Sequence, residues 1–491
     1  MMATVNASLT QGQSPSSKQF PNQTGGLSKL WAKVSNWHHG SHTETDERLP
    51  LLSANALRQP GKLANETDEA SKTSCSPYDA RFPHTKEEFP LLACAYSIQS
   101  GDVAVMEKLL LKGADPHMTH SVTGVFALQI ACGVAKTNSL EKTRVLLQHG
   151  ANPVQTNPMS GAFPLMEAAY FGSSDIVRAL LEHRADVEQV HKPSGFTSLL
   201  VAAVNGYAPV VEQLLAHGAC PEGVICEEEG GLTVLSVAAF KGHQEVVEVL
   251  LRHGVDPSEE NHMDGTFPLL IAAGQGRHHV VDVLLRHNAR PNNVNSHNGI
   301  FPLLIAVKDG HLETVKVLLN HRADPDQLQP MTGEFAVLHA VGPTRCLILQ
   351  VLLSQNANPN MVHEETGNFA LLQAAKQGSE AAVELLLRRG ARCKQVMRHS
   401  GDFPLLAACR EGHVQVARLL VQAGADMHQK HVQSGLTPFQ AASDSGHSTL
   451  VQQLRQGDGK PAGAATSKVS QPPGKVDEQI KRGGAGIMSC W

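Results

Sequence analysis

One glycine recurs along most of the chain at an almost constant spacing, and this repeat restricts the possible folds more than any other feature. Successive copies are 34 residues apart in seven of nine intervals, and the other two intervals are 37 and 36 residues. The copies are Gly124, Gly161, Gly195, Gly231, Gly265, Gly299, Gly333, Gly367, Gly401 and Gly435. A fixed period of this length indicates a chain built from one repeated supersecondary unit.

Each repeat contains the pattern of two short helices separated by a turn. A proline such as Pro164 opens an apolar segment with paired alanines, and proline suits the first turn of a helix. Eight residues later a glycine such as Gly172 often follows, and glycine suits the left-handed end of a helix. A second segment, as in residues 246–251, then places apolar residues at i, i+3 and i+4, which predicts one buried helix face.

These motifs resemble the ankyrin repeat family. The family pattern G-x-T-P-L-H-x-A-A, followed by G-H, V-V-x-x-L-L and G-A-D, is nearly complete in residues 435–454 and clear in residues 240–257. The resemblance covers eleven repeats in about 87–456. It implies an all-α repeat solenoid of stacked antiparallel helix pairs, with a hairpin-like loop at each junction. One difference is that phenylalanine replaces the usual threonine in most repeats, at Phe89, Phe163, Phe267, Phe301 and Phe403.

Composition changes on both sides of the repeats. Residues 1–86 are rich in Ser, Thr, Asn and Gln, so we expect this region to be largely disordered. Residues 457–491 have the composition of a flexible tail. Within the first region, the apolar residues of 27–37 share one face of a helix, which predicts a short amphipathic helix. It would contact a membrane surface or a partner, dock on the first repeat, or form no stable helix at all.

Charge and motifs point away from nucleic acid and from catalysis. The formal net charge is -5, and residues 87–455 carry 27 Lys and Arg against 36 Asp and Glu, so the repeats offer no overall basic balance for phosphates. No P-loop, nucleophile elbow or H-E-x-x-H motif is present, and the 26 histidines mostly recur at fixed repeat positions. We therefore expect a protein that is not an enzyme and that has neither a cofactor nor a metal.

The cysteines and the N-terminal residues indicate the cellular compartment. The nine cysteines are scattered without a C-x-x-C pair, which favours reduced thiols in a reducing compartment. No apolar run reaches the ~20 residues of a membrane span, and the first residues lack the pattern of a signal peptide. We expect a cytoplasmic protein, and secretion into a host cell is the alternative if the source is bacterial.

The candidate binding residues are those that the repeat does not hold constant. The resemblance implies binding through the loop tips and through the pair of residues that precede the interhelix glycine. In the early repeats these positions are aromatic, which predicts an apolar platform for a protein or peptide. The alternative is that the rings pack against neighbouring helices. The candidates are Tyr96, Tyr170, Phe171, Tyr207, Phe240 and Lys241.

Two loops of opposite charge and one irregular repeat add further candidates. The charged loops would orient one extended partner, although each is also explained as a solvated loop. In the Gly333 repeat, Gly342 and Pro343 interrupt the usual pattern, and Leu347 stands where other repeats are polar, which predicts a kink or a second apolar contact. The charged candidates are Glu227, Glu228 and Glu229 in the acidic loop, and Arg388, Arg389, Arg392, Lys394 and Arg398 in the basic one.

The sequence thus predicts a monomeric, non-enzymatic scaffold that binds a protein partner on the concave or loop face of the array. The alternatives are a membrane-associated adaptor and a secreted bacterial effector, each using residues 27–37 for targeting. Nucleic acid is not an expected partner.

Overall fold

The structure confirms an all-α repeat array. The computed structural model describes residues 90–457, apart from 97–101, 134–137, 223–232 and 343. This described part contains 22 helices in eleven successive pairs and one two-stranded ribbon. The predicted amphipathic helix at 27–37 lies outside the described residues, as do the rest of 1–89 and the tail 458–491.

The chain divides into two compact units, 1–370 and 371–491. In the described part of the first unit, the first helices of the repeats are α1 (Pro90–Tyr96), α3 (Ala127–Cys132), α5 (Pro164–Tyr170), α7 (Ser198–Asn205), α9 (Val234–Lys241), α11 (Pro268–Gly274), α13 (Pro302–Asp309) and α15 (Ala336–His339). The second helices are α2 (Asp102–Leu111), α4 (Ser139–Gln148), α6 (Ser174–Glu182), α8 (Ala208–Ala216), α10 (Gln244–Arg252), α12 (His278–Arg286), α14 (Leu312–Asn320) and α16 (Cys346–Ser354).

The second unit has the same alternation of first and second helices. Its elements are α17 (Ala370–Gln377), α18 (Glu380–Arg388), α19 (Pro404–Arg410), α20 (Val414–Gln422), α21 (Pro438–Asp444) and α22 (Ser448–Gly457). The first residue of α17 lies at the boundary of the two units.

Stacking of like helices builds the core. In the first unit each first helix contacts the next first helix, and each second helix contacts the next second helix. The paired alanines Ala168 and Ala169 are fully buried, and their small side chains allow first helices to approach closely. On the second helix α10, Val246, Val247 and Leu250 are fully buried as predicted. The core therefore lies between two parallel rows of helices.

The phenylalanines that replace threonine within the described residues are core residues. Where threonine is kept, as at Thr437, its hydroxyl accepts a hydrogen bond from the backbone N–H of Gln440 and caps the helix. At the same position Phe163 has an extended backbone and makes no such bond, but its ring is fully buried. Threonine at this position would cap the helix, whereas phenylalanine leaves the helix uncapped and fills space in the core. The same holds at Phe126, Phe267, Phe301, Phe335 and Phe403.

The loops between repeats are short hairpins that bond to one another. In one hairpin the N–H of Asn157 donates to the carbonyl of Ala162, and the N–H of Gly161 donates to the carbonyl of Asn157, both at 2.8 Å. The buried Asn157 side chain also donates to the carbonyl of Thr123 in the preceding hairpin, at 3.3 Å. This contact between hairpins recurs later, for example from Asn295 to Asp264 at 2.9 Å. One hairpin carries the ribbon of β1 (Val190–His191) and β2 (Phe196–Thr197).

The Gly333 repeat is irregular, as its sequence indicates. Its first helix, α15, has only four residues, and the chain bends at Gly342 before α16 begins. Arg345 supports this bend, because its guanidinium donates to the carbonyls of His339 and Lys308. Leu347 is 62% exposed on α16 and is not part of the core.

We predict that Phe163→Thr destabilises the protein although it restores the family's capping residue. Loss of the buried ring should cost more than the cap adds, for a net loss of at least about 2 kcal/mol in the free energy of unfolding. Urea denaturation measures this loss, and Thr437→Ala, which removes an existing cap, should cost only about 1 kcal/mol. Stability equal to that of the wild type would contradict the assignment of Phe163 to the core.

Candidate protein-binding surface

In most of the described repeats, one side chain after the interhelix turn connects the repeat to the preceding one. His243 covers Gly206 of the preceding repeat, and its Nε2 donates to the carbonyl of Val204 at 2.9 Å. His311 does the same with Gly276 and the carbonyl of Gly274 at 3.0 Å. We call these contacts the interhelix ladder. Its other members are Arg277, Arg345, His413 and His447.

Tyr207 occupies the ladder position of its own repeat. Its ring lies directly over Gly172, where an added Cβ atom would be 2.6 Å from the Tyr207 Cδ1 atom. The preceding repeat contributes Tyr170 and Phe171, whose rings meet edge to face with centroids 5.0 Å apart. All three rings are partly exposed. They form one patch at the end of α5, which we call the aromatic patch.

A chain of polar side chains supports the aromatic patch from below. Asn157 Nδ2 donates to Gln129 Oε1, and Gln129 Nε2 donates to Glu167 Oε1, each at 3.1 Å. Glu167 lies on α5 below the rings, and burial raises its pKa to about 7 despite the Gln129 hydrogen bond. The pKa of Tyr170 is also raised, mainly by burial and also by the nearby Tyr207 and Glu167. The aromatic patch therefore adjoins a carboxyl group whose charged form is disfavoured by burial.

The surface becomes cationic further along the stack. Phe240 and Lys241 end α9, and Arg277 Nε donates to the carbonyl of Phe240 at 3.2 Å. Burial and the adjacent Arg277 lower the pKa of Lys241. The carbon chain of Arg277 covers Gly242, so its charged group is held next to Lys241. Two cations thus lie close together at the end of α9.

In a later repeat the cation at the position of Tyr170 is paired within the array. Lys308 forms a salt bridge with Glu334 of the next repeat, and only 12% of the Lys308 side chain is exposed. His339 also lies 3.4 Å from Glu334. The nearby His339 and Lys308 lower the pKa of Glu334 to about 2, although burial opposes this shift. Lys308 is therefore committed to an internal ion pair.

The second unit repeats this arrangement. Asp402 is buried, with its carboxylate 3.2 Å from Arg410 and 3.6 Å from Lys376. Both cations hold the position that Tyr170 holds in its own repeat. The charges of Lys308, Lys376 and Arg410 are thus occupied by internal pairs, whereas the aromatic patch presents ring surface.

The repeat pattern identifies the family. The family model described as ankyrin repeats (3 copies) matches residues 91–191, 185–261, 235–329, 335–431 and 371–462. The chain belongs to the ankyrin repeat family. Among solved structures, this ankyrin chain is similar to the ankyrin repeat domain of Bcl-3, a unique member of the IkappaB protein family, at 26% identity. That similarity covers 46% of this chain and 99% of the Bcl-3 domain, with a TM-score of 0.42. No curated protein sequence matches the chain.

Membership in the ankyrin repeat family indicates a general class of function. Ankyrin repeats are generally protein–protein interaction modules, and proteins with this fold are typically not catalytic. Within the described residues, no cluster of three or more His, Cys, Asp or Glu side chains has the arrangement of a metal site. None of the described helices combines the length and the apolar character that a membrane span requires.

The structure brings together only some of the predicted binding residues. Tyr170, Phe171 and Tyr207 meet in the aromatic patch, and Phe240 and Lys241 lie at the end of α9. The other candidates are separate from the patch or fall outside the described part of the ankyrin array. Tyr96 ends α1 and is partly buried, Leu347 is exposed on α16, Arg388, Arg389 and Arg392 are exposed in the second unit, and Glu227, Glu228 and Glu229 lie outside the described residues.

Sequence reasoning missed two residues that shape this surface. Glu167 is a carboxylate where most other ankyrin repeats of this chain carry an apolar side chain, such as Ile130 and Val201. That exception was visible in the aligned repeats. Arg277 stands where several repeats have histidine, but its placement beside Lys241 depends on how neighbouring repeats stack.

We predict that Glu167→Gln makes the protein more stable at pH 8. A group whose pKa rises on folding favours the folded state in its protonated form, so its ionisation destabilises the fold as the pH rises from about 4.5 to above 7. Glutamine keeps the acceptor for Gln129 without the charge, and the gain should be on the order of 2–3 kcal/mol at pH 8 and vanish near pH 4. Urea denaturation at both pH values measures it, with the exposed Glu182→Gln as control.

We also predict that Gly172→Ala costs more stability than Gly150→Ala. Both glycines have left-handed backbones, with φ of 69° and 84°, so alanine strains each by about 1 kcal/mol. Only at Gly172 does the new methyl group meet the Tyr207 ring, since no atom lies within 4 Å of a Cβ at Gly150. Thermal unfolding followed by circular dichroism should show a clearly lower midpoint for Gly172→Ala. Equal losses would contradict the placement of Tyr207.

Proposed function

We propose that this protein is a non-enzymatic scaffold that binds a protein partner on the first-helix face of the first unit, at the aromatic patch. The observation that carries the proposal is the cluster of Tyr170, Phe171 and Tyr207, three partly exposed rings from two successive repeats. Aromatic side chains are common anchors of protein interfaces, because a large ring loses little conformational entropy when it is covered.

Rigidity supports this function. The Tyr207 ring is held on Gly172, and the hydrogen-bonded chain from Asn157 to Glu167 supports the helix below. A surface that is already ordered binds with a smaller entropy cost than a mobile one. The aromatic patch can therefore bind an apolar side chain of the partner without first becoming ordered.

Charge next to the patch suggests the chemistry of that partner. Lys241 and Arg277 place two cations at the end of α9, and burial together with Arg277 lowers the pKa of Lys241. An opposing carboxylate would favour the charged form of Lys241 and would reduce the repulsion between the cations. The proposed partner segment thus carries an apolar anchor and a nearby acidic residue.

Photocrosslinking tests this surface whatever the identity of the partner. With p-benzoylphenylalanine at position 241, we expect a discrete covalent adduct with one protein in living cells, identified by mass spectrometry. The same crosslinker at Glu248, which is exposed on the second helix α10, should give no such adduct. Adducts of equal yield from both positions would overturn the proposed binding face.

A variant series links the adduct to the aromatic patch. Replacing Tyr170, Phe171, Tyr207 and Phe240 by alanine in the crosslinker protein should remove the adduct. Because these rings are partly buried, circular dichroism must show that the variant stays folded at the assay temperature. The matched control replaces the exposed hairpin residues Met159 and Met263 by serine and should keep the adduct. Loss of the adduct only in this control would place the partner on the hairpins instead.

A further inference from the structure

A separate surface of the second unit carries a row of exposed cations. After α18, burial alternates residue by residue from Ala391 to Arg398, and the exposed positions include Arg392, Lys394 and Arg398. Residues 392–395 form a turn in which the N–H of Gln395 donates to the carbonyl of Arg392 at 3.2 Å. The three cations lie exposed on this turn and on the hairpin that leads to Gly401. An open groove of about 460 Å³ is lined by Arg392, Cys393, Lys394 and Gln395.

The first of these cations stands where most repeats need a different residue. In seven repeats an Asp or Asn at this position accepts a hydrogen bond from the backbone N–H two residues later, at 2.8–3.1 Å. The seven residues are Asp115, Asn152, Asp186, Asp256, Asp324, Asn358 and Asp426. An arginine has no acceptor, so Arg392 cannot make this bond. The turn therefore lacks the side-chain hydrogen bond that stabilises the other turns, and it carries a positive charge at that position.

The end of α18 adds two more cations to the same repeat. Arg389 is the C-cap residue of α18, a position that is histidine in six earlier repeats, namely His149, His183, His217, His253, His287 and His321. Arg388 precedes it, with 71% of its side chain exposed, and bonds to Glu384 at 2.6 Å. Cations favour the end of a helix. That preference does not explain the three cations beyond α18.

We propose that the basic edge formed by Arg388, Arg389, Arg392, Lys394 and Arg398 binds an acidic peptide. These five exposed cations lie within residues 388–398 of one repeat, so positive charge is concentrated on a small part of the surface. A peptide with several carboxylates offers the opposite charge over a similarly short length. The basic edge is distinct from the aromatic patch, so either proposal stands without the other.

A nucleic acid fits this edge less well. The row occupies a single hairpin, and residues 87–455 are acidic overall, with 36 Asp and Glu against 27 Lys and Arg. Net negative charge opposes a long polyanion, whose phosphates extend well beyond the row. A short acidic peptide places its charges only where the cations are.

Fluorescence anisotropy with the full chain and a labelled peptide of repeated Glu-Ser dipeptides tests the proposal. We expect saturable binding that weakens as NaCl increases from about 50 to about 200 mM, because exposed charges are screened. Arg392→Asp should weaken the binding about tenfold or more. The same substitution should leave the thermal midpoint unchanged or raise it, because the introduced aspartate restores the acceptor that Asp426 provides in the next repeat.

Arg290→Asp is the matched control, since Arg290 holds the same hairpin position in the first unit without neighbouring cations in its row. It should leave peptide binding unchanged. The double variant Lys394→Gln with Arg398→Gln should weaken binding without removing any turn contact. No binding by the wild-type chain, or unchanged binding by Arg392→Asp and the double variant, would overturn the proposal. Tighter binding of labelled oligo-dT through the same residues would overturn it in favour of a nucleic-acid surface.

Discussion

Contact between like helices of successive repeats is the interaction on which the structure of each unit depends. A single pair of helices with lengths of seven to ten residues, such as α5 and α6, is too short to bury its own apolar face. The Ala168 and Ala169 pair removes bulk from the interface, and Phe163 fills the space at the start of the helix. Every other feature, including the hairpins and the ladder, is placed by this stacking.

Polar contacts then fix the register of the stack. The hairpin side chains and the interhelix ladder each donate to a backbone carbonyl of the preceding repeat. Buried carbonyls need a partner, so a shift in register would leave several of them unsatisfied. Where the ladder position carries a residue other than histidine, the chemistry of the surface changes. Tyr207 turns such a position into part of a ring cluster, and Arg277 brings a second cation next to Lys241.

Cations at the ends of first helices and cations on the exposed turn after α18 lie in different environments. Lys308, Lys376 and Arg410 are cations at the ends of first helices, and each forms a salt bridge with an acidic residue. Arg392 lies on an exposed turn, at a position where an acceptor such as Asp426 of the next repeat stabilises the backbone. Since natural sequences commonly give up local stability at functional sites, the outer cations are the better candidates for recognition.

The sequence by itself determined the repeat, the helix starts and ends, and the family, because proline, glycine and the apolar period act over one or two turns of the chain. It also indicated which aromatic residues vary between repeats. Only the tertiary structure decided that Tyr207 rests on Gly172 and that the partly buried Glu167 accepts a hydrogen bond from Gln129. These contacts join residues more than 30 positions apart, such as Gln129 with Glu167, and their geometry follows from the stacking of whole repeats rather than from any local pattern.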